Sequence, residues 1–237
     1  MISEIKEMLI SALFPRRCPV CDEVVRNGEL IHPACKKKFI KVLGNTCYKC
    51  GKPMSDEKAE YCSDCEGTRH AFDRNYALYK YRSVAGSVYK FKYSGRQEYA
   101  DYYGSEIARR FGIELKELKP DALIPVPMYG PKKRVRGYNQ AEVLADKIGE
   151  NLGIPVDSGV IKRWKKTVPM KLLDEQGRRA NLKKAFNIAQ NEVKYKCIIL
   201  IDDIYTTGST LDAVAAEFRR MGVKNIYCVT LAIGQVV

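Results

Sequence analysis

Apolar residues recur along the chain in two patterns, and each pattern predicts a type of secondary structure. Three short runs rich in apolar and β-branched residues occur at residues 121–127 (DALIPVP), 196–201 (KCIILI) and 224–233 (KNIYCVTLAI). Runs of this length and composition are typical of strands that are buried on both faces of a parallel sheet. Residues 75–82 (NYALYKYR) alternate with aromatics and predict a further strand.

Between these runs, apolar residues return at helical spacing. Residues 138–153 (YNQAEVLADKIGENLG) and 209–222 (STLDAVAAEFRRMG) have this spacing and end with glycine, as helices often do. Residues 82–93 predict a helical or turn segment. Strands that alternate with helices indicate an α/β fold with a doubly wound parallel sheet, in which ligands bind at the carboxyl ends of the strands.

The first 15 residues (MISEIKEMLISALFP) place apolar side chains at helical period with acids between them, which predicts an amphipathic helix rather than a signal peptide. No run of 18 apolar residues occurs in the sequence. We therefore expect a cytoplasmic protein without membrane insertion. A change of composition near residue 70 predicts two domains, an N-terminal helix with a cysteine-rich module at 1–70 and an α/β domain at 71–237.

Seven of the nine cysteines fall within residues 18–65, mostly as C-x-x-C pairs. In a reducing compartment this spacing predicts zinc rather than disulfides. The strongest set contains four thiols: Cys47, Cys50, Cys62 and Cys65. The other set combines Cys18, Cys21 and Cys35 with His32, although that histidine could instead be a loop residue before Pro33. Spacing alone also allows the first pair to share an ion with the third. Four protein ligands predict two structural sites rather than catalytic ones.

The formal net charge is +13, and residues 71–237 hold 29 Lys and Arg against 18 Asp and Glu. A basic surplus favours a phosphate-bearing partner. Within this part, LIDDIYTTGST at 200–210 combines two acids with a turn of small and hydroxylated residues that opens a helix. Such a turn binds phosphate through its free N–H groups and the helix dipole, whereas carboxylates suit hydroxyl groups. A ligand with ribose hydroxyls and a 5′-phosphate satisfies both. The alternative is an ordinary capped helix after a turn.

This stretch, ILIDDIYTTGST, closely resembles the phosphoribosyl pyrophosphate signature of type I phosphoribosyltransferases. The resemblance implies that Asp202 and Asp203 hold the ribose hydroxyls, sometimes through Mg²⁺, and act as the catalytic pair in an active enzyme. It implies that the 5′-phosphate lies in the loop formed by Thr206, Thr207, Gly208, Ser209 and Thr210.

Residues 123–145 and 167–186 resemble the ComF family of competence proteins, as does the pair of predicted zinc sites in front of them. The first segment contains Pro-x-Pro followed by a pyrophosphate loop with Arg134, Arg136, Gly137, Tyr138, Asn139 and Gln140. The second keeps Thr167, Leu173, Arg178, Asn181 and Phe186 in register, but it has Met170 in place of the usual glutamine and Asp174 in place of a hydroxyl residue.

The family resemblance implies a protein that binds phosphoribosyl pyrophosphate and handles incoming single-stranded DNA in natural transformation, with other DNA-uptake proteins such as a helicase as partners. Residues 162–184 hold nine basic residues against two acids, so we expect single-strand contacts from Lys162, Arg163, Trp164, Lys165 and Lys166. The alternative is a basic flap over the pocket with Trp164 in the core. Two other functions stay open: a phosphoribosyltransferase with an unknown acceptor, and a protein-docking role for the zinc module.

Overall fold

The computed structural model describes residues 15–164, 185–189 and 194–234. The predicted N-terminal helix lies outside these residues, as do Lys165, Lys166 and most of the 167–186 segment. Within the described part, no helix is long and apolar enough to cross a membrane.

The larger part of the chain alternates strands and helices as expected. The strands are β1 (Arg74–Lys80), β2 (Ala122–Pro125), β3 (Ile161–Arg163), β4 (Phe186–Ile188), β5 (Cys197–Tyr205) and β6 (Asn225–Ile233). The helices are α1 (Ser63–Glu66), α2 (Tyr81–Tyr93), α3 (Tyr99–Glu117), α4 (Gly130–Arg136), α5 (Gln140–Leu152) and α6 (Ser209–Arg220). A short 3-10 helix spans Pro33–Lys38.

Four strands form one parallel sheet in the order β1-β6-β5-β2. Both faces are covered, because Ile199 and Ile201 of β5 pack with α2, α3 and α5, whereas Ile198 and Leu200 pack with α6. The fold is thus a doubly wound parallel sheet with an N-terminal zinc-ribbon module. β3 and β4 form a separate antiparallel hairpin that the apolar pattern did not predict.

Three elements differ from the sequence expectation. β5 does not end at Ile201 but continues to Tyr205, because β6 is equally long and its backbone pairs Asp202 with Thr230 and Tyr205 with Ile233. The 19-residue helix α3 was not predicted. Residues 130–136, which were expected to be a loop, form the short helix α4 and end at Gly137, whose φ is +89°.

The zinc-ribbon module packs directly on the α/β domain. Phe39 of the first ribbon lies against a group of tyrosines, with ring centroids 5.3 Å from Tyr79 and 6.3 Å from Tyr102. On the other side of the sheet, buried Cys47, Cys50 and Cys65 belong to the same apolar cluster as helix α6. The boundary near residue 70 therefore stays a prediction, and the two cores are continuous across it.

Candidate functional site

Asp202 and Asp203 lie in the second half of β5, near the carboxyl end of the parallel sheet. Successive residues of a strand point to opposite faces, but here the Asp203 N–H donates to Asp202 Oδ1 at 2.8 Å. Burial, together with the neighbouring charge of Asp203, raises the pKa of Asp202 to about 7. Asp202 is thus more easily protonated than an exposed aspartate.

The loop after β5 opens α6 and lines a small cavity together with Asp202. Gly208 precedes the helix with φ +76°, and a Cβ atom there would lie 2.6 Å from the Tyr205 hydroxyl. Glycine also has no side chain to cap the helix, so the N–H groups of the first turn remain available for an anion. The Thr207 and Ser209 hydroxyl oxygens are 2.8 Å apart beside them. This arrangement suits a phosphate group.

A buried lysine that the sequence did not single out completes the acid pair. Lys92, near the end of α2, places its Nζ 2.8 Å from Asp203 Oδ2, and only 18% of its side chain is exposed. Burial lowers the pKa of Lys92, but the carboxylate of Asp203 more than offsets this and raises it above its ordinary value. The ion pair stabilises two adjacent acids at the edge of the sheet. A ribose or Mg²⁺ ligand at Asp203 has to share or displace this ammonium group.

The β3–β4 hairpin approaches the acids from another side. Arg163 is largely buried, its guanidinium lies 5.3 Å from the centre of the Phe186 ring, and its charge interacts with that of Asp202. Lys162 is exposed, and 62% of Trp164 is exposed, which excludes the alternative of Trp164 as a core residue. The predicted DNA-contacting residues therefore divide, since Arg163 is partly buried and its charge interacts with Asp202, while its two neighbours are exposed.

Residues 134–140 also divide by exposure. Arg134 is exposed on α4, and the Arg136 guanidinium stacks 4.7 Å from the centre of the Tyr93 ring while it donates to Gln140 Oε1. Tyr138 and Asn139 are buried: the Tyr138 hydroxyl donates to the Phe91 carbonyl, and the Asn139 side chain donates to the Val126 carbonyl at 3.0 Å. Among the residues predicted to bind the diphosphate, the two arginines still have N–H donors for it. Tyr138 and Asn139 instead use their side chains to hold the backbone in position.

The two cysteine-rich sets form two separate clusters, and the alternative in which the first C-x-x-C pair shares an ion with the third is not observed among the described residues. The ligand atoms of Cys18, Cys21, His32 and Cys35 lie within 4.8 Å of one another, and so do those of Cys47, Cys50, Cys62 and Cys65. Tetrahedral Zn²⁺ with bonds of about 2.3 Å requires sulfurs about 3.8 Å apart. Cys50 Sγ and Cys62 Sγ are 3.7 Å apart. The chain therefore has two zinc-binding sites.

Two histidines support these sites in different ways. His32 Nδ1 lies 3.3 Å from Cys21 Sγ, while its Nε2 lies 3.0 Å from the Val24 carbonyl. A neutral ring that donates from Nε2 leaves Nδ1 free for the metal, which is the arrangement of a zinc-ligating histidine. His70 is instead a neighbour of a ligand, with its Nε2 3.7 Å from Cys65 Sγ.

Two family models match the chain, the double zinc ribbon domain over residues 9–66 and the phosphoribosyl transferase domain over residues 111–235. The protein named Competence protein F from Haemophilus influenzae is 32% identical over 190 residues, which cover 76% of this chain and 81% of that protein. The chain belongs to the ComF family.

Two further proteins extend this similarity. Competence protein ComFC of Bacillus subtilis is 29% identical over 203 residues, which cover 81% of this chain and 79% of that protein. The DNA utilization protein YhgH of Escherichia coli O157:H7 is 25% identical over 217 residues, which cover 88% of this chain and 86% of that protein. Each match covers most of both chains, so the ComF similarity includes zinc-ribbon and phosphoribosyltransferase parts together.

Sequence reasoning missed Lys92 and His70, although each left a signal. In α2 the residues Val84, Val88 and Phe91 are buried, and Lys92 follows Val88 by four residues on the same face. A lysine at such a core position indicates a buried partner. His70 is the only histidine besides His32, and it lies five residues after the last ribbon cysteine. At that distance in the sequence His70 does not extend the C-x-x-C pattern, but it is close enough to contact a cysteine that binds the metal.

Proposed function

We propose that this ComF-family protein binds phosphoribosyl pyrophosphate with Mg²⁺ at the carboxyl end of β5 and handles incoming single-stranded DNA in natural transformation. The observation that carries the proposal is the placement of Asp202 and Asp203 near the carboxyl end of β5, which a short loop connects to a helix preceded by Gly208. One end of this arrangement suits vicinal hydroxyls and the other suits phosphate. The names of the competence and DNA-utilization relatives support the DNA role.

Each group in the pocket has a part in the proposed complex. Asp202 and Asp203 accept hydrogen bonds from the ribose hydroxyls, and the N–H groups at 207–211 bind the 5′-phosphate. Arg134 and Arg136 hold the diphosphate, because guanidinium groups match phosphate oxygens. The carboxylate oxygens are also the donors that Mg²⁺ prefers, and the ion would neutralise charge on the diphosphate when bound. Lys92 competes for Asp203 until the ligand arrives.

A phosphoribosyltransferase with an unknown acceptor is the second candidate. In that reaction an acceptor atom forms a bond to C1 of the ribose, the C1–O bond breaks, and the electron pair leaves with pyrophosphate. Positioning and electrostatic stabilisation supply most of the catalysis in such a step. The specific observation in its favour is that cationic Lys92 and Arg163 flank the acids, since they would orient Asp203 and Asp202 toward the ribose.

The proposal includes a cytoplasmic site of action, because a strand that has entered the cell meets phosphoribosyl pyrophosphate there. Partners of the complex would be other DNA-uptake proteins, such as a helicase, and the zinc-ribbon module offers a docking platform for them.

One experiment separates the candidate functions. The full-length protein is titrated with phosphoribosyl pyrophosphate and Mg²⁺ by calorimetry, incubated with labelled ligand and free bases to detect pyrophosphate, and titrated with labelled single-stranded DNA. Binding of both ligands without pyrophosphate release supports the first proposal, and base-dependent release supports the second.

The variant for this experiment combines Asp202→Ala with Asp203→Ala. It should weaken phosphoribosyl pyrophosphate binding by about 2–4 kcal/mol, because two charge-assisted hydrogen bonds are lost. Asp56→Ala with Glu57→Ala removes two exposed acids far from the pocket and serves as the control. Unchanged affinity in a folded pocket variant would contradict the proposed site.

A further inference from the structure

Two exposed tyrosines stand one helical turn apart on α2, close to the acid pair. Tyr89 and Tyr93, which we call the tyrosine ladder, are 62% and 63% exposed, and their ring centres are 5.1 Å apart. Large aromatic rings with this exposure are unusual unless they meet a partner. Neither ring is needed for the core, since the buried face of α2 consists of Val84, Ser87, Val88 and Phe91.

The tyrosine ladder is connected to the pocket on two sides. Lys92, the residue before Tyr93, forms the ion pair with Asp203, so the carboxyl-terminal end of α2 lies beside the proposed ribose site. Arg136 stacks on Tyr93 with its guanidinium 4.7 Å from the ring centre. That arginine belongs to the segment proposed to hold the diphosphate. The ladder therefore extends the pocket with aromatic rings and a cation.

A planar heteroaromatic ring is the ligand that fits this surface. Bases stack on aromatic side chains whatever their sequence, and a nearby arginine binds the phosphate of the same nucleotide or the diphosphate of a bound ligand. Ser87 and Tyr103, which bond to each other beneath the ladder, are buried and fix the helix that carries it. We infer that the tyrosine ladder is a nucleobase-stacking surface beside the phosphoribosyl pyrophosphate pocket.

This inference rests on the proposed function and makes it more specific. The occupant is a base of single-stranded DNA, because both rings are open to solvent on the outer face of α2 rather than enclosed in a cavity. DNA then crosses the mouth of the pocket, and a free base that accepts the phosphoribosyl group is the alternative that the test distinguishes.

The test compares strands with and without bases. A labelled oligonucleotide of about 20 thymidines and a matched abasic strand are titrated into the wild-type protein, into a Tyr89→Ala/Tyr93→Ala variant and into a Tyr89→Phe/Tyr93→Phe variant. We expect the wild type to prefer the strand with bases, the alanine variant to lose about tenfold in affinity for it, and the phenylalanine variant to retain it. Tyr48→Ala removes a distant exposed tyrosine and should change nothing.

A second arm uses equilibrium dialysis of free adenine, guanine and uracil with phosphoribosyl pyrophosphate present. Loss of DNA binding in the alanine variant supports the inference, whereas loss of free-base binding with DNA binding unchanged overturns it and assigns the ladder to an acceptor base. If the wild type binds DNA and the alanine variant binds it equally, with no change for free bases, the inference is wrong while the proposed function stands. If the wild type binds neither, both fail. Unchanged phosphoribosyl pyrophosphate affinity in the variants shows that the pocket is intact.

Discussion

His70 Nδ1 lies 2.7 Å from Asp212 Oδ2, and this contact joins the second zinc ribbon to the helix that opens at the predicted phosphate loop. The other ring nitrogen, Nε2, is 3.7 Å from the thiol of Cys65, and the His70 side chain is only 2% exposed. Asp212 also accepts the Ala71 N–H at 2.8 Å from the first turn of α6. The ribbon thus fixes the start of the helix whose N–H groups bind the proposed phosphate.

A second line of contacts runs parallel to the first. The His70 ring stacks on Phe72 with centres 4.7 Å apart, and Phe72 meets Tyr205 edge to face at 6.4 Å. The Tyr205 hydroxyl lies against the backbone of Gly208. Because both lines end at the loop, the position of the loop depends on the ribbon as well as on β5.

The variant His70→Ala should therefore weaken phosphoribosyl pyrophosphate binding about threefold to tenfold, the cost of about one hydrogen bond. Its zinc content should stay the same, because the four thiols of that site remain. Calorimetry gives the affinity and elemental analysis gives the metal content. His70→Asn, whose amide can still donate to Asp212, should recover part of the affinity. Loss of zinc in His70→Ala would show a ligand role instead of a positioning role.

Removal of zinc should have a larger effect than the loss of His70. Chelation is expected to unfold the ribbons, because few large apolar side chains there offset the entropy of ordering them, while the α/β domain keeps its circular dichroism. Protein prepared without chelators should hold two zinc ions per chain by elemental analysis. Less than one ion per chain would contradict both sites, and a fully unfolded chain after chelation would show that the α/β core depends on the ribbons.

The Lys92 ion pair predicts a loss of stability when its cation is removed. Lys92→Met should lower the free energy of unfolding by about 3 kcal/mol, because a buried carboxylate loses its cation. Urea unfolding at pH 8 measures this. Asp203→Asn in the same chain should recover most of the loss, and a Lys92→Met variant as stable as the wild type would contradict the prediction.

Asp202 predicts a pH dependence in the wild-type protein. Its pKa of about 7 in the folded chain exceeds the ordinary value for aspartate, about 3.9, so the folded state binds more protons between these values. The contribution of Asp202 to the free energy of unfolding should therefore fall as the pH rises from about 4 to 7. Asp202→Asn should remove this contribution in urea titrations at several pH values, and Glu117→Gln at the exposed end of α3 is a control at a site outside the pocket. An unchanged pH dependence in Asp202→Asn would contradict the prediction.

The sequence predicted those parts of the fold that depend on local pattern. Glycine at 153 ends α5 with φ +70°, as the periodicity and the terminal glycine indicated. The zinc clusters were also predictable, because ligand spacing is a local property. The motif at 200–210 indicated the position of the candidate pocket, because the strand, the acids and the start of the helix follow one another in a single segment.

Other features depend on contacts between distant segments, which no local pattern contains. Lys92 and Asp203 are far apart in the chain, and so are His70 and Asp212. The length of β5 beyond Ile201 depends on pairing with β6. Helix α3 is rich in tyrosine and has a small residue, Gly104, where it approaches Lys147 of α5 too closely for a Cβ atom.

The β3–β4 hairpin carries the last prediction, which separates stacking from charge in single-strand binding. Trp164→Ala should weaken binding by about 1–3 kcal/mol with little change in salt dependence, because a stacked base is lost but no phosphate contact. Lys162→Gln should instead reduce the slope of log affinity against log salt by about 0.7, the value for one phosphate contact on a single strand. Replacement of Lys162, Lys165 and Lys166 together should reduce it by about two, whereas Arg163 should contribute little because it is buried beside Asp202.

Fluorescence titrations at several salt concentrations measure both quantities, with Lys37→Gln on the first ribbon as an exposed control. If the triple variant and Trp164→Ala both bind as the wild type does, the hairpin is not part of the DNA surface, and the tyrosine ladder becomes the principal candidate.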